Sequence, residues 1–320
     1  MMKDSEERIN ILSGLITKYQ KSYYEGEAEI SDSEFDLLWD ELKKLSLDHP
    51  LLKKVGGGTD GFPKAKHLIP MGSQEKAANP VEFRAWAKKI NLGSYVVQYK
   101  LDGASLELQY DKGKLKMALT RGDGIIGDNI TGNALRIAGV APEISVSFSG
   151  GVRGEVVMTH EMWKTKYSGK ANCRNAANGI MRRKDGAGCE DLNFISYDAA
   201  STGDDAYFLT EMDKIAWLKE QGFRVTETRE FSNPDEIINY RNEIAEKRKN
   251  MDLDIDIDGL VVKDLFTDMT DLRRARPERQ IAFKFELELA YSILKDVEWS
   301  ESGVTYTPIG ISEPVRLAGT

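Results

Sequence analysis

Five short segments combine charged side chains with glycine or aromatic residues in a pattern of strands and turns. They are Lys100-Leu101-Asp102-Gly103, Arg121-Gly122-Asp123-Gly124, Val152-Arg153-Gly154-Glu155-Val156, Asp258-Gly259-Leu260-Val261-Val262-Lys263 and Phe283-Lys284-Phe285. Each segment alone is also typical of a hairpin turn or a solvated strand lysine. Together they indicate a cluster of basic side chains beside a carboxylate.

Nucleotidyl transfer is the chemistry that such a set could perform. A lysine is nucleophilic only when unprotonated, and neighbouring cations together with partial burial favour that form. Lys263, Lys284 and Arg121 would be those cations for Lys100, and they would also stabilise charge developing on phosphoryl oxygens. Glu155 could hold ribose hydroxyls, and a divalent metal such as magnesium would neutralise the phosphates.

The pattern around Lys284 predicts which way its side chain points. Alternate residues of a strand face opposite sides of a sheet. If Phe283 and Phe285 face the core, Lys284 faces a groove.

Hydrophobic periodicity predicts the elements that position these residues. Apolar spacing predicts a helix over residues 4–22, and Ser31 with Glu34 forms a capping box that opens a second helix through Leu45. The glycine-rich residues 55–66 indicate a linker. Further helices are predicted from Asn79-Pro80 through Trp86 and at 174–183, 209–221 and 234–249. Strands are predicted at 95–101, 104–110, 114–120, 152–158, 193–197, 223–228, 259–263 and 281–285, with two more in 289–320.

The strands and helices intermix in a way that favours an α+β fold over a doubly wound parallel sheet. Asp102-Gly103 and Asp111-Lys112-Gly113 are expected to form hairpin turns between the first three strands. Asp252, Asp254, Asp256 and Asp258 alternate with apolar residues, which favours an edge strand with one acidic face over a metal cluster.

Composition limits the class of protein. The chain has 320 residues, 41% of them hydrophobic, and a net charge of −8. No apolar run is long enough to span a membrane and no signal peptide is recognisable, so a cytoplasmic protein is expected. Two cysteines, Cys173 and Cys189, argue against a disulfide framework or a structural zinc site. Residues 161–185 hold seven basic and two acidic side chains, which suits contact with DNA phosphates as well as a solvated helix face.

The ordered segments KLDG, TRGDG, VRGEV, DGLVVK and FKF closely resemble the nucleotidyltransferase motifs of bacterial-type NAD-dependent DNA ligases. The similarity extends over most of the chain. Residues 30–36 look like the N-terminal motif that grips the nicotinamide half of NAD, and residues 67–73 look like the approach to the adenylation domain. Residues 172–177 are similar to a helix-opening segment that carries a DNA-contacting arginine.

The resemblance implies that Lys100 attacks the α-phosphate of NAD, releases nicotinamide mononucleotide (NMN) and forms lysyl-AMP. The AMP would pass to the 5′-phosphate of a DNA nick before the strand is sealed. The implied catalytic residues are Lys100, Asp258 and Lys284. The implied cofactor-binding residues are Tyr23, Asp32, Ser33, Glu34, Phe35, Asp36, Ser73, Gln74, Gln98, Arg121, Glu155, Lys263 and Lys284. Arg174 and Arg182 would contact DNA. The implied cofactors are NAD and Mg²⁺, and no metal ligand is assigned.

The chain departs from the family pattern at several positions. Gln98 replaces a usual glutamate, Phe35 a usual tyrosine, and Tyr23-Tyr24 an expected Tyr-His pair. Asn172-Cys173-Arg174 replaces Asn-Pro-Arg, and Glu301-Ser302-Gly303-Val304 replaces Gly-Arg-Thr-Gly. The first three positions concern NAD selectivity and the last two concern DNA contacts.

The resemblance also implies a domain organisation. It predicts a helical NAD/NMN-recognition domain and linker at 1–66, a nucleotidyltransferase domain of ATP-grasp-like, mixed antiparallel architecture at 67–287, and an incomplete oligonucleotide-binding (OB) fold at 288–320. The zinc-binding, helix-hairpin-helix and C-terminal modules of the family would be missing or lie on a second chain. We therefore expect efficient self-adenylation and poor sealing of nicked double-stranded DNA, in an enzyme of DNA repair and replication.

Two other functions remain open from the sequence. An ATP-dependent or RNA-directed nucleotidyltransferase of the same superfamily would be labelled by ATP but not by NAD. A non-catalytic nucleic-acid-binding module would keep its DNA binding after Lys100→Ala as its only measurable property.

Overall fold

The computed structural model describes residues 2–24, 38, 41–42, 45–46, 49, 61–285, 291–302 and 305–314. Its helices are α1 (Met2–Tyr24), α2 (Pro80–Ile90), α3 (Thr131–Ala134), α4 (His160–Lys166), α5 (Cys173–Met181), α6 (Glu211–Glu220), α7 (Pro234–Lys249) and α8 (Met269–Leu272). Its strands are β1 (Lys64–Lys66), β2 (Glu75–Ala77), β3 (Tyr95–Leu101), β4 (Ala104–Asp111), β5 (Lys114–Thr120), β6 (Ile126–Asp128), β7 (Gly150–Val157), β8 (Asn193–Ser201), β9 (Thr228–Phe231), β10 (Ile257–Asp264), β11 (Gln280–Lys284), β12 (Leu294–Ser302) and β13 (Thr305–Ser312). None of the helices in this part of the chain is both long and apolar enough to cross a bilayer.

Two main sheets lie at the centre of the fold. One has four antiparallel strands in the order β5-β4-β7-β8. The other has five strands in the order β2-β11-β10-β3-β9, and only the β2–β11 pair is parallel. Strands β1 and β6, and strands β12 and β13, form two smaller sheets. The α+β fold predicted from the sequence is confirmed.

Each main sheet has its own apolar core. Helices α5 and α6 pack with the four-stranded sheet, and helices α2 and α7 pack with the five-stranded sheet. In the second core, the rings of Phe83 on α2 and Phe283 on β11 stack with their centroids 4.3 Å apart. Helix α2 begins where the sequence predicts, because the Asn79 side chain accepts hydrogen bonds from the backbone N–H groups of Val81 and Glu82.

The expected hairpin at Asp102-Gly103 is wrong, because β3 and β4 belong to different sheets. At this point the chain crosses from the five-stranded to the four-stranded sheet and passes close to β7. A Cβ atom on Gly103 would lie 2.3 Å from the carbonyl oxygen of Val156, so glycine allows this close approach. The second predicted hairpin is confirmed, since Asp111 of β4 pairs with Lys114 of β5.

Two strand predictions need correction. The strand expected at 223–228 begins only at Thr228, because the preceding residues run beside β8 and hydrogen-bond through the backbone of Ser196 instead. The acidic alternating segment is not an edge strand. Its part before Ile257 is a loop, in which Asp254 and Asp256 bond to residues of other segments, and β10 is an inner strand of its sheet.

The helices predicted at 174–183, 209–221 and 234–249 are present within two residues of their expected ends. The first predicted helix is also present, as α1. Leu12 and Ile16 of α1 pack against Leu42. The capping box and the turn predicted around Ser31 lie outside the described residues.

The stacked ring pair between α2 and β11 makes a test of the second core possible. Phe83 is fully buried, so Phe83→Ala removes a ring from a packed interior and leaves a cavity. We expect the free energy of unfolding to fall by about 3–5 kcal/mol, measured by urea denaturation. Val81→Ala on the same helix is the control, because Val81 is 74% exposed. Equal effects of the two substitutions would contradict this packing.

Candidate active site

A cavity of about 530 Å³ lies between the two main sheets. Strands β3, β10 and β11 line it from one sheet, and strands β4, β7 and β8 line it from the other. Helix α5 and the loops that carry Ser73 and Arg121 complete its wall.

The cavity brings together every predicted site residue whose side chain the structure describes. These are Ser73, Gln74, Gln98, Lys100, Arg121, Glu155, Arg174, Arg182, Asp258, Lys263 and Lys284. The backbone of Tyr23 belongs to the last turn of α1, and its side chain lies outside the described residues. Asp32, Ser33, Glu34, Phe35 and Asp36 lie outside them as well.

The cavity is basic although the chain is acidic. Its lining contains eight basic side chains, Lys76, Lys100, Arg121, Arg153, Arg174, Arg182, Lys263 and Lys284. The same lining contains four acidic side chains, Asp102, Glu155, Asp198 and Asp258. This local excess of positive charge suits a phosphate-bearing ligand.

Lys100 and Lys284 share the carboxylate of Asp258. Lys100 Nζ lies 2.9 Å from Asp258 Oδ1, and Lys284 Nζ lies 3.0 Å from Asp258 Oδ2. The strand register explains this, because Gly259 of β10 pairs with Lys100 on one side and with Lys284 on the other. The two lysines therefore stand level on the same face of the sheet.

A bulge in β10 directs the Asp258 carboxylate to that face. In a regular strand Asp258 would point away from the face to which its neighbour Gly259 belongs. The register shifts between Ile257 and Gly259, and a bulge of this kind can re-aim a side chain. The prediction for Lys284 is also confirmed, since Phe283 is fully buried while Lys284 lines the cavity.

Glu155 lies on the opposite sheet, across the cavity. Its Oε2 accepts a hydrogen bond of 2.9 Å from the hydroxyl of Ser105 on β4. Burial raises the pKa of Glu155 to about 7, although Ser105 and the charge of Lys100 act in the other direction. Near neutral pH this side chain can therefore either donate or accept a hydrogen bond.

Several contacts hold Arg121 at the cavity edge. Its guanidinium donates to the hydroxyl of Ser73 at 2.9 Å and to the carbonyl of Met71 at 3.2 Å. The buried ring of His67 lies 3.1 Å from the Arg121 carbonyl oxygen and 2.8 Å from a carboxylate oxygen of Glu107. Two loops are thereby fixed to each other.

A tight turn follows Arg121. Gly122 has φ of 55°, and a Cβ atom there would lie 1.8 Å from the carbonyl oxygen of Ile126. Asp123 accepts the backbone N–H groups of Ile125 and Ile126 at 2.8 Å, and these bonds lower its pKa. The glycine and the aspartate of this motif therefore shape the turn that presents Arg121.

A buried network of ions supports Lys263 and was not found from the sequence. Lys263 Nζ lies 3.0 Å from Glu211 Oε2, and Lys214 Nζ lies 2.5 Å from Glu211 Oε1. Lys214 also lies 3.0 Å from Asp198 Oδ1, and Asp198 in turn contacts Arg153. Burial alone would raise the pKa of both carboxyls, but the adjoining cations hold both values below the ordinary range.

This network contains three cations and two carboxylates, so it keeps one excess positive charge beside the cavity. Sequence patterns indicate Lys263, Arg153 and the helix that holds Lys214, but not that these side chains meet. Asp198 and Glu211 carry no motif signal of their own.

Gln98 connects the two sheets. Its side-chain amide donates to the backbone carbonyl of Tyr197 on β8 at 3.1 Å. Lys263 Nζ lies 3.4 Å from the same carbonyl oxygen. The residue that replaces the usual glutamate of the family is thus engaged in holding β3 against β8.

Arg174 and Arg182 lie at the helical edge of the cavity, Arg174 in the first turn of α5 and Arg182 directly after its last residue. Arg174 Nη1 donates to Asp102 Oδ1 at 3.0 Å, and Arg182 Nη1 lies 3.8 Å from Asp128 Oδ2. Most of the Arg174 side chain is exposed. This side of the cavity presents basic groups to solvent.

The carboxylates around the cavity do not form a resident magnesium site. Asp102, Asp198 and Asp258 are each paired with basic side chains, and the pKa of Glu155 is raised by burial. Magnesium in proteins is commonly held by one or two carboxylates together with substrate phosphates and water. The lining does not fit an ion held by the protein alone.

The comparisons with known proteins identify the family. The model of the NAD-dependent DNA ligase adenylation domain matches residues 59–288. A DNA ligase of Treponema denticola is 51% identical over an alignment of 332 positions, gaps included. The alignment covers 98% of this chain and 51% of that protein. A DNA ligase of Treponema pallidum is 45% identical, covering 100% of this chain and 40% of that protein. The chain belongs to the NAD-dependent DNA ligase adenylation domain family, and it spans about half the length of these relatives or less.

A solved structure from a study of Lig E DNA ligases aligns with a TM-score of 0.45 at 12% identity, covering 80% of this chain and 83% of that one. A likeness of this degree adds nothing to the assignment.

The raised pKa of Glu155 predicts a pH dependence of stability. The folded state keeps a proton on Glu155 that the unfolded chain releases, so stability falls as pH rises from about 4.5 to about 7. Glu155→Gln removes this carboxyl. We expect the free energy of unfolding of Glu155→Gln, taken relative to that of the wild type, to rise by up to about 3 kcal/mol across this pH range.

Urea denaturation at several pH values measures this difference. The exposed Glu143 provides a control, and Glu143→Gln should follow the wild type at every pH. A constant offset between Glu155→Gln and the wild type from pH 4.5 to 8 would show that Glu155 does not keep its proton.

Proposed function

We propose that this chain carries out the nucleotide-activating step of an NAD-dependent DNA ligase, with Lys100 as the residue that becomes adenylated. The observation that carries the proposal is the position of Lys100 Nζ. It lies in a basic cavity, 2.9 Å from the Asp258 carboxylate that it shares with Lys284. Membership of the adenylation domain family supports NAD as the nucleotide donor.

The first step joins Lys100 Nζ to the adenylyl phosphorus of NAD. A P–N bond forms, the P–O bond of the pyrophosphate breaks, and NMN leaves with the bridging oxygen. Lys100 gives up one proton before it attacks, and the Asp258 carboxylate is placed to receive it. The nitrogen releases a second proton to solvent as the P–N bond forms. Lys284 is then placed to stabilise the charge on the phosphoryl oxygens.

The cavity wall supplies groups for the rest of the nucleotide. Glu155, which donates or accepts near neutral pH, suits ribose hydroxyls. Arg121 and Lys263 approach from different elements and can neutralise phosphate oxygens. Ser73 and Gln74 flank the opening of the cavity. Gln98 lies beside Tyr197, where the cavity could bind the base of the nucleotide. Magnesium would arrive with the phosphates of NAD and would neutralise part of their charge.

The later steps concern DNA. The AMP carried by Lys100 would pass to the 5′-phosphate of a nick in double-stranded DNA, and the 3′-hydroxyl would displace it as the strand is sealed. Arg174 and Arg182 are candidate contacts for the DNA backbone, because they lie at the cavity edge on α5. Such a reaction serves DNA repair and replication.

We also propose the domain organisation expected from the sequence. Residues 1–66 would recognise the NMN half of NAD through Tyr23 and residues 32–36, and residues 67–287 would form the ligase-type nucleotidyltransferase domain. Residues 288–320 would begin an OB fold. Exposure of Trp299 and Ile293, 64% and 66%, supports the last assignment, since β12–β13 leaves large apolar side chains uncovered.

Intact-mass analysis after incubation with NAD and Mg²⁺ tests the adenylation step. We expect the wild type to gain one AMP per chain. Lys100→Ala and Lys100→Arg should gain none, because neither side chain can serve as the nucleophile. Lys116→Ala, which changes an exposed lysine of β5, should be labelled like the wild type.

Two outcomes would contradict the proposal. One is labelling of Lys100→Ala to the wild-type level, which would place the nucleophile elsewhere. The other is labelling by ATP and not by NAD, which would support an ATP-dependent enzyme.

A second test addresses the DNA contacts. We expect Arg174→Ala and Arg182→Ala each to weaken binding to nicked DNA and to lower the slope of log affinity against log salt by about 1. Fluorescence anisotropy at several salt concentrations measures that slope. Arg84→Ala is the control, because Arg84 pairs with Asp235 on the outer helices and does not line the cavity. Unchanged slopes for both cavity variants would exclude these contacts.

A further inference from the structure

Three side chains of metal-ligating type meet outside the cavity. They are His160 at the first turn of α4, Cys173 at the first turn of α5 and Asp256 in the loop before β10. Their ligand atoms all lie within 4.8 Å of one another. Asp256 is distant in sequence from His160 and Cys173, so the fold brings it to the other two.

Asp256 is the centre of the group. His160 Nε2 lies 2.8 Å from Asp256 Oδ1, and the thiol of Cys173 also hydrogen-bonds to this carboxylate. A cation bound between the three ligand atoms would take the place of these hydrogen bonds.

The donor set selects a class of metal. Thiolate, imidazole and carboxylate are the ligands of Zn²⁺ in proteins, whereas Mg²⁺ and Ca²⁺ take oxygen ligands. Three protein ligands with a water in the fourth position form a known zinc arrangement. Cysteine spacing alone argues against a zinc site, but here a single cysteine joins a histidine and an aspartate.

Charged side chains of both signs surround the group, and one side of it is open to solvent. Asp254 adds a second negative charge that acts on both His160 and Cys173, while Lys164 and Arg248 oppose it from α4 and α7. Cys173 is 4% exposed, whereas the Asp256 side chain is 34% exposed, so an ion can enter past Asp256.

We propose that His160, Cys173 and Asp256 form a binding site for one zinc-class divalent cation. On binding, the Cys173 thiol loses its proton and a sulfur–metal bond forms. If His160 is protonated it releases a second proton, and if it is neutral its remaining proton moves to Nδ1. One to two protons therefore pass to solvent for each ion bound.

The site would join segments that also border the basic cavity. The Asp256 carbonyl oxygen accepts the backbone N–H of Asp102 at 2.9 Å, and Asp102 is the partner of Arg174, which follows Cys173 in sequence. An ion at this site would cross-link α4, α5 and the loop before β10. Binding of the ion at this site does not depend on the proposed adenylation of Lys100.

Cobalt(II) titration of the 320-residue chain tests the site, because a cobalt–thiolate bond produces a characteristic near-ultraviolet absorption. We expect one Co²⁺ per chain with this band, displaced by one Zn²⁺. Calorimetry with Zn²⁺ in two buffers of different ionisation enthalpy should report a release of one to two protons. Mg²⁺ should not compete.

The variants identify the ligands. Cys173→Ser should abolish the thiolate band, and His160→Gln and Asp256→Asn should each weaken Zn²⁺ binding by at least about tenfold. Cys189→Ser is the matched control, because Cys189 is equally a buried cysteine but has no place in the cluster, and it should keep both band and affinity.

Circular dichroism of each variant shows whether it is folded, and His160→Gln tests the site even if Cys173→Ser does not fold. Absence of the thiolate band in the wild type would overturn the proposal. A thiolate band that persists in Cys173→Ser would also overturn the proposal. So would a Zn²⁺ affinity of His160→Gln equal to that of the wild type.

Discussion

The sharing of one carboxylate between two lysines is the interaction on which the site depends. Without Asp258, the ammonium groups of Lys100 and Lys284 would face each other across a single strand with no compensating charge. The geometry requires two backbone features of β10. Gly259 pairs with both lysines at one level, and the bulge beside it directs Asp258 to the same face. The two amines and the carboxylate are thus positioned by three adjacent inner strands.

The second requirement is that the two sheets stay at a fixed separation, because side chains from both sheets line the cavity. Gly103 allows the chain to cross from one sheet to the other in close contact with β7. Gln98 and Lys263 both reach the carbonyl of Tyr197 on the opposite sheet. The buried ions behind Lys263 cannot separate without leaving uncompensated charge in a dry interior, which is costly. The polar contacts that fix the two sheets around the cavity are therefore already present before a ligand binds.

Much of this arrangement could be predicted from the sequence, because short motifs record local geometry. The turn at Arg121, the alternation around Lys284 and the caps of α2 and α5 are all set by residues within a few positions. Pairings between distant segments could not be predicted in this way. The Asp-Gly pair at Asp102, of a kind that favours hairpin turns, forms a crossing between sheets. The contact of Asp198 with Lys214 depends on the packing of β8 against α6.

The charge distribution explains how an acidic chain can recognise a polyanion. Charges on the protein surface are screened over about 8 Å at physiological ionic strength, so the net charge of the molecule acts weakly inside the cavity. The lining brings together eight basic side chains, and its four carboxylates only partly offset their charge. The excess of acidic residues on the rest of the chain disfavours binding of nucleic acid at other surfaces. Positive charge is thereby concentrated at the cavity and its α5 edge, which suits the phosphate binding that we propose there.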